Sequence, residues 1–222
     1  MNKILNKLIW LIILAPGIYL AITWKKIPEI IPVHFDIKGN ADRLGHKKEL
    51  LITVIILSVV STFVFFLLSN IFRIDPKKYA PENKDRLQRI GFAIAVFMAA
   101  INCMIIYSGV NGGSRFDVRL ILAAVGLLFA IIGNYMPNMK PNYFAGIRLP
   151  WTLENADNWR KTHALAGKYW FFGGLLIPVL CLPTPPEIAL FIFFFITIVI
   201  TVIPCVYSYR LYKKQKITNT SN

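Results

Sequence analysis

Residues 50–72 read LLITVIILSVVSTFVFFLLSNIF, a run with no Asp, Glu, Lys or Arg. At a rise of about 1.5 Å per residue, a helix of that length reaches the ~30 Å of a bilayer's hydrocarbon core. Ile90–Val110 and Ile188–Tyr209 are equally free of charge. Such uninterrupted runs lack the apolar-out, polar-in alternation of barrel strands. Working outward from them, six spans are predicted: Ile4–Trp24, Leu50–Phe72, Ile90–Val110, Val118–Met136, Ala164–Leu182 and Ile188–Tyr209. The fifth is the weakest, because Lys168, Gly173, Gly174 and Pro178 interrupt it. Across all 222 residues 56% are hydrophobic and 16% charged, against roughly a quarter charged in soluble domains. A soluble globular domain is excluded. The expected fold class is all-α: a polytopic membrane protein with six transmembrane helices, an extended outer loop and an interfacial amphipathic helix.

A net charge of +14 in a soluble chain would suggest nucleic acid. In a membrane protein it reads instead as basic loops held in the cytoplasm. With the N-terminus inside, 17 of the 25 Lys and Arg residues fall on inside segments and 8 outside. The expectation is a bacterial cytoplasmic-membrane protein, multi-pass, with both termini cytoplasmic. Lys3 and Lys7 precede an apolar stretch as in a signal peptide. That stretch runs to Trp24, however, and no small-x-small site follows, so it reads as a retained anchor kinked at Pro16-Gly17. Cys103, Cys181 and Cys205 sit inside apolar blocks and match no metal or redox spacing. The basic segment Arg73–Arg89 suits anionic headgroups. The polar residues 213–222 read as a disordered tail.

Two loops are long enough to carry function. In Lys25–Glu49, on the outside, Pro28 and Pro32 enforce extended backbone and Lys38-Gly39-Asn40 reads as a turn. His34 and Asp36 share one face of an extended chain, and Asp42 and His46 follow closely. Those four could be drawn together as a metal site. Alternatively, Asp36 accepts turn hydrogen bonds and His34 fixes the loop. A third reading is a strand platform whose edge takes a peptide, with Ile27, Ile31, Val33 and Phe35 as contact area.

In Pro137–His163, on the inside, Thr152 stands where a helix cap belongs, with Glu154 and Asp157 in the first turn. Leu153, Ala156, Trp159, His163, Ala166 and Trp170 recur at three- and four-residue steps. That is an amphipathic helix suited to the inner interface and leading into the fifth span, with Trp151 and Trp159 at interfacial depth. Arg148, between Gly146 and Pro150, can offer its donor fork to a carboxylate, a carbonyl or a lipid phosphate. His163 reads as a packing hydrogen-bond partner rather than a base, since no serine or cysteine nucleophile stands beside it.

These loops resemble the SdpI family of bacterial membrane proteins. The outer residues Ile31-Pro32-Val33-His34-Phe35-Asp36, Gly39 and Lys47 are similar to that family's N-terminal two-span module, domain of unknown function 1648. The inner match is longer: Gly133-Asn134-Tyr135-Met136-Pro137, Asn142, Gly146-Ile147-Arg148, Pro150-Trp151-Thr152-Leu153, Trp159, Thr162-His163 and Gly167. Leu149 departs from the threonine usual in that motif. The resemblance implies immunity to a secreted peptide toxin that a bacterium aims at its siblings. It also implies sensing, in which the toxin-bound membrane protein draws a small winged-helix transcriptional repressor to the membrane. No enzyme activity, cofactor or direct nucleic-acid contact is expected. The implied organisation is a two-span module at 1–72 with outer loop 25–49, a four-span module at 73–212 with signature loop 133–168, and the tail.

The expected outer, toxin-facing residues are Pro32, His34, Phe35 and Asp36. The expected inner signalling surface is Asn134, Asn142, Gly146, Arg148, Pro150, Trp151, Trp159 and His163. Two other classes were weighed. A small transporter or channel fits six spans, but coupled transport normally needs ionisable groups in mid-span, and the span centres hold none. Asn102 and Asn134 are instead expected to bond between helices. A metal-dependent membrane enzyme would need His34, Asp36 and His46 gathered around one ion.

Overall fold

A computed structural model describes residues 3–77, 80–112 and 117–220. Gly113 of the expected Asn111-Gly112-Gly113 turn, Lys78 of the basic segment and Arg115 lie outside the described residues. In chain order the elements are α1 (Lys3–Thr23), the strands β1 (Ile30–Phe35) and β2 (Ala41–His46), α2 (Lys47–Asn70) and α3 (Lys84–Val110). They continue with α4 (Val118–Tyr135), the short α5 (Pro150–Glu154), α6 (Ala156–Cys181) and α7 (Pro186–Thr220). Among the described residues, six helices are long and apolar enough to cross a membrane. Their outer faces agree: Leu11, Ile22, Phe63, Phe172 and Phe191 are each more than 60% exposed. Each such side chain left in water would forgo about 1.5–3 kcal/mol of burial, so lipid is the solvent for this surface. The chain is a multi-pass, all-α membrane protein.

Contact between spans relies on small residues. Gly126, Ala130 and Gly133 on α4 face Gly167 and Gly174 on α6. A Cβ at Gly126 would lie 2.8 Å from the Gly174 carbonyl oxygen, and one at Gly133 would lie 2.5 Å from the Phe171 nitrogen. In lipid no hydrophobic force drives helices together, so close backbone approach supplies the attraction. Elsewhere Ile9, Ile13, Phe65 and Ala95 join α1, α2 and α3. Hydroxyls within the spans bond back onto their own helices, as Thr53 does to Glu49 O at 2.9 Å and Thr197 to Phe193 O at 2.7 Å.

Loop contacts sort the bundle into two ends. At one end Arg119 Nη1 donates to Leu182 O and Thr184 O, and Lys38 lies 3.8 Å from Glu187, so the β-hairpin shares this end with the α6–α7 connection. At the other end Lys77 Nζ donates to Leu153 O at 2.8 Å, and the Asn83 side chain binds both the carbonyl and the N–H of Lys140. Sequence loops expected on opposite sides therefore do lie at opposite ends.

Three details differ from the sequence expectation. The outer loop is extended as predicted, but its two halves pair as an antiparallel hairpin with register shifts around His34. The amphipathic stretch does not form a separate interfacial helix. It breaks at Asn155, whose side chain accepts the N–H groups of Asp157 and Asn158, and from there it is continuous with the fifth span. Asp157, Arg160, Lys161 and Lys168 depress the hydropathy of this part, which is why the span was predicted to begin only at Ala164. Finally, α7 runs on as helix through 213–220, where the composition predicts disorder, and Gln215 Nε2 reaches Asp157 at 3.2 Å.

Candidate functional site

The hairpin turn is organised by Asp36. Its carboxylate accepts the N–H groups of Lys38 and Asn40 at 2.8 Å each and the Asn40 amide at 3.1 Å. Gly39 takes the left-handed conformation the turn needs, at φ +79°. The backbone N–H of Asn40, aided by its side chain and by Lys38, holds the Asp36 carboxyl below its ordinary range. A depressed folded-state pKa stabilises the turn above the unfolded carboxylate's pKa and loses that effect as pH falls through the folded value. Hydrogen exchange at the Lys38 and Asn40 amides should therefore stay slow across the neutral range. It should accelerate only once the pH drops below the ordinary carboxylate range. Asp36→Asn should exchange fast at every pH, and acid-insensitive exchange in the wild type would refute the account.

The other candidate metal ligands are dispersed into pairs. His34 Nδ1 meets Asp42 Oδ1 at 2.6 Å, while His46 Nε2 lies 3.1 Å from Glu29. His46 Nδ1 also caps α2 by accepting the Lys48 N–H. Lys47, 2.6 Å from Glu29, lowers that carboxyl's pKa chiefly through a direct hydrogen bond. Among the described residues no group of three or more His, Cys, Asp and Glu gathers as a metal site. Beneath β1 lies a cavity of about 350 Å³, bordered by 31–36 and by the hairpin-side ends of α2 and α3. Pro32 and Phe35 line it while half-buried, and Asp36 and the exposed His34 border it.

At the opposite end, residues 139–163 form one hydrogen-bonded unit. Asn142, 1% exposed, accepts the N–H groups of Phe144 and Ala145 and donates to Lys140 O, closing a tight turn. Asp75 accepts the Tyr143 N–H at 3.0 Å. Gly146 has φ +105°, and a Cβ there would strike His163 Nε2. That nitrogen accepts the Ile147 N–H at 3.0 Å, while Nδ1 faces the Trp159 carbonyl at 2.9 Å. A carbonyl can only accept, so the proton sits on Nδ1 and the imidazole is neutral. The ring stacks on Trp159 at 3.9 Å, and Trp159 Nε1 donates to Met139 O at 2.7 Å. Thr152 accepts the Leu149 N–H and donates back to Ile147 O or Leu149 O, starting α5 with Pro150 as its first residue.

A second chain of bonds ties this unit to α7. Trp151 Nε1 donates to Ser208 Oγ at 2.8 Å, Ser208 Oγ to Asn158 Oδ1 at 2.8 Å, and Asn158 Nδ2 to Ser208 O at 3.1 Å. Tyr209 and Tyr212 pack on Trp151 with centroids 5.4 and 5.6 Å away.

The structure thus gathers Asn142, Gly146, Arg148, Pro150, Trp151, Trp159 and His163 into one unit, with an internal division. Trp159 and His163 are buried at 1% and 0% exposure. They position the loop rather than present a surface or anchor it in the interface, because the turn at 142–147 folds over them. Arg148 is exposed and uses one Nη to hold Tyr143 O at 2.7 Å. Asn134 does not join: it is exposed on α4, and among the described residues no bond to another helix is formed. Sequence reading missed Asp75, Asn83, Asn158 and Ser208, all of which hold the unit together.

Comparison with known proteins falls on the same two regions. Residues 138–208 match the SdpI/YfhL protein family, and residues 11–58 match the domain of unknown function DUF1648. The chain is 27% identical over 196 residues to "Immunity protein SdpI" of Bacillus subtilis (strain 168), covering 87% of this chain and 88% of that protein. No solved structure matches the chain. With six spans, the hairpin inside one matched region and the bonded loop inside the other, this membrane protein carries an SdpI/YfhL-family segment joined to a DUF1648 domain.

Proposed function

We propose that this chain is a membrane immunity protein that protects its host against a secreted peptide toxin. The observation that carries the reading is the near full-length likeness to the Bacillus subtilis immunity protein, spanning 87% of one chain and 88% of the other. In this reading both termini and the 139–163 unit lie in the cytoplasm and the β-hairpin lies outside, as the excess of basic residues on the 139–163 side favours. The toxin meets Pro32, His34, Phe35 and Asp36. The two modules divide at residue 72.

We further propose a sensing role, with a small winged-helix repressor as the cytoplasmic partner of the exposed Arg148 and Trp151. Sensing requires the toxin to bind one state of the protein better than another. Packing supports a route: α7 begins with Glu187 near Lys38 of the hairpin turn and carries Ser208 against Trp151 at the far end. A shift of α7 would be felt at both.

The test is expression of the chain in a toxin-sensitive relative of its host. Survival at toxin concentrations that kill the empty-vector strain is expected, and equal killing would reject immunity. Thiol labelling of single-cysteine variants in intact cells should tag the hairpin and spare Arg148→Cys. The reverse pattern would overturn the orientation. Arg148→Ala should insert normally yet weaken protection or reporter induction about tenfold, the equivalent of one charge-assisted hydrogen bond. Wild-type behaviour of that variant would remove Arg148 from the surface.

A further inference from the structure

We infer that the cavity beneath β1 holds an extended apolar peptide segment, paired main chain to main chain along the free edge of β1. The inference names how the peptide of the proposed function is held, and so rests on that reading.

Three observations converge on it. First, the cavity, about 350 Å³, is bordered by every residue from 31 to 36. Alternate side chains leave a strand on opposite faces, so a space touched by six consecutive residues runs along the strand's edge. Second, that edge has no strand beside it. Among the described residues β1 pairs with β2 alone, in a two-stranded sheet. An unpaired edge of N–H and C=O groups accepts an added strand.

Third, the floor holds an unanswered polar group. Ser108 on α3 is 7% exposed and lines the cavity, and its hydroxyl has no hydrogen-bond partner among the described residues. Buried hydroxyls are normally paired, and an orphan facing an empty space is where a ligand's donor or acceptor fits. Leu50, Ile105 and Gly109 make the rest of the floor, so the arriving side chains are apolar. Gly109 has no side chain to fill the space, which keeps it open.

The probe is a synthetic hexapeptide of alternating valine and threonine, blocked at both ends. Its control is the same peptide with every backbone nitrogen methylated, which cannot donate to a strand. In purified protein, Ser108→Cys should react with a small water-soluble thiol reagent faster than the wild type, whose three cysteines lie in the spans and set the background. Saturating hexapeptide should slow that reaction at least tenfold and the methylated peptide less than twofold. Ser108→Ala should raise the melting temperature, because an unpaired hydroxyl is gone, and weaken hexapeptide binding about fivefold by calorimetry.

No labelling above background, or no slowing by hexapeptide, overturns the inference. So does equal slowing by the methylated peptide, or by dihexanoylphosphatidylcholine, which would make the cavity a lipid pocket. Toxin resistance of the wild type without a hexapeptide effect overturns this inference alone. A hexapeptide effect without toxin resistance overturns the proposed function and leaves the cavity as a peptide site.

Discussion

Leucine at Gly174 is expected to abolish the folded six-helix form, while leucine at Gly17 leaves it intact. Both glycines lie within helices, so conformational freedom does not separate them. Their surroundings do. A Cβ at Gly174 would overlap the Ala130 nitrogen and lie 2.5 Å from the Gly126 carbonyl oxygen, both backbone atoms of α4. Backbone cannot swing aside as a side-chain tip does, so α4 and α6 must separate along their whole contact. Separation also opens the cluster that Leu122 and Ile177 share with Cys181, Ala189 and Ile196. Overpacking a tight core costs about 1–3 kcal/mol and occasionally more, and a backbone-on-backbone clash belongs at the top of that range. At Gly17 a Cβ meets nothing within 4 Å. There leucine adds helix propensity, worth under about 1 kcal/mol. Detergent-solubilised protein should therefore show a monodisperse peak and an unchanged or raised melting temperature for Gly17→Leu. Gly174→Leu should aggregate or melt many degrees lower. Equal behaviour of the two would mean that α4 and α6 are not in backbone contact.

The same contact shows what a sequence can and cannot disclose. Leu50–Phe72 announces a span through composition alone, because every lipid-facing position must be apolar whatever its neighbours are. The signal is local, and so five of the six spans were legible to within a few residues. The start of α6 was not, because Asp157, Arg160 and Lys161 pair with one another at 2.7–2.9 Å and so keep charge on a helix end that hydropathy discounts. The 139–163 unit was legible as a motif but not as a geometry. Its turn is local: Asn142 bonds residues two and three ahead, and Gly146 is the residue a positive φ requires. Its anchors are remote. Asn83 reaches Lys140 across 57 positions, Asp75 reaches Tyr143 across 68, and Ser208 reaches Trp151 across 57. No periodicity links such pairs, so a buried Asn or Ser in an apolar stretch looks like any other small polar residue. Trp159 illustrates the converse error. Its spacing fits an interfacial belt, yet its indole N–H finds the Met139 carbonyl and the ring is covered.

Gly146→Ala should lower the melting temperature and loosen the loop that carries Arg148, and its cost should shrink when His163 is removed as well. Two effects act at this position. The φ of +105° is one that residues with a Cβ rarely adopt, which costs about 1–3 kcal/mol. The added methyl also meets His163 Nε2, and the imidazole has no room to retreat. It is clamped by the Trp159 carbonyl on Nδ1 and by the Trp159 ring on its face. To accommodate the methyl, the Ile147 N–H must leave Nε2, and an unpaired buried donor adds about 1–3 kcal/mol. In a His163→Ala background the second effect has already been incurred and the space is vacant, so only the backbone strain remains. A double-mutant cycle should therefore yield a coupling of at least about 1 kcal/mol between residues 146 and 163. Strict additivity would deny the contact. Because Arg148 follows Ile147 directly, the cycle also reports on function: protease cleavage within 142–150 should rise in Gly146→Ala in step with loss of protection against toxin. Cleavage that rises while protection holds would separate the loop's order from its role and leave Arg148 a surface residue without a task.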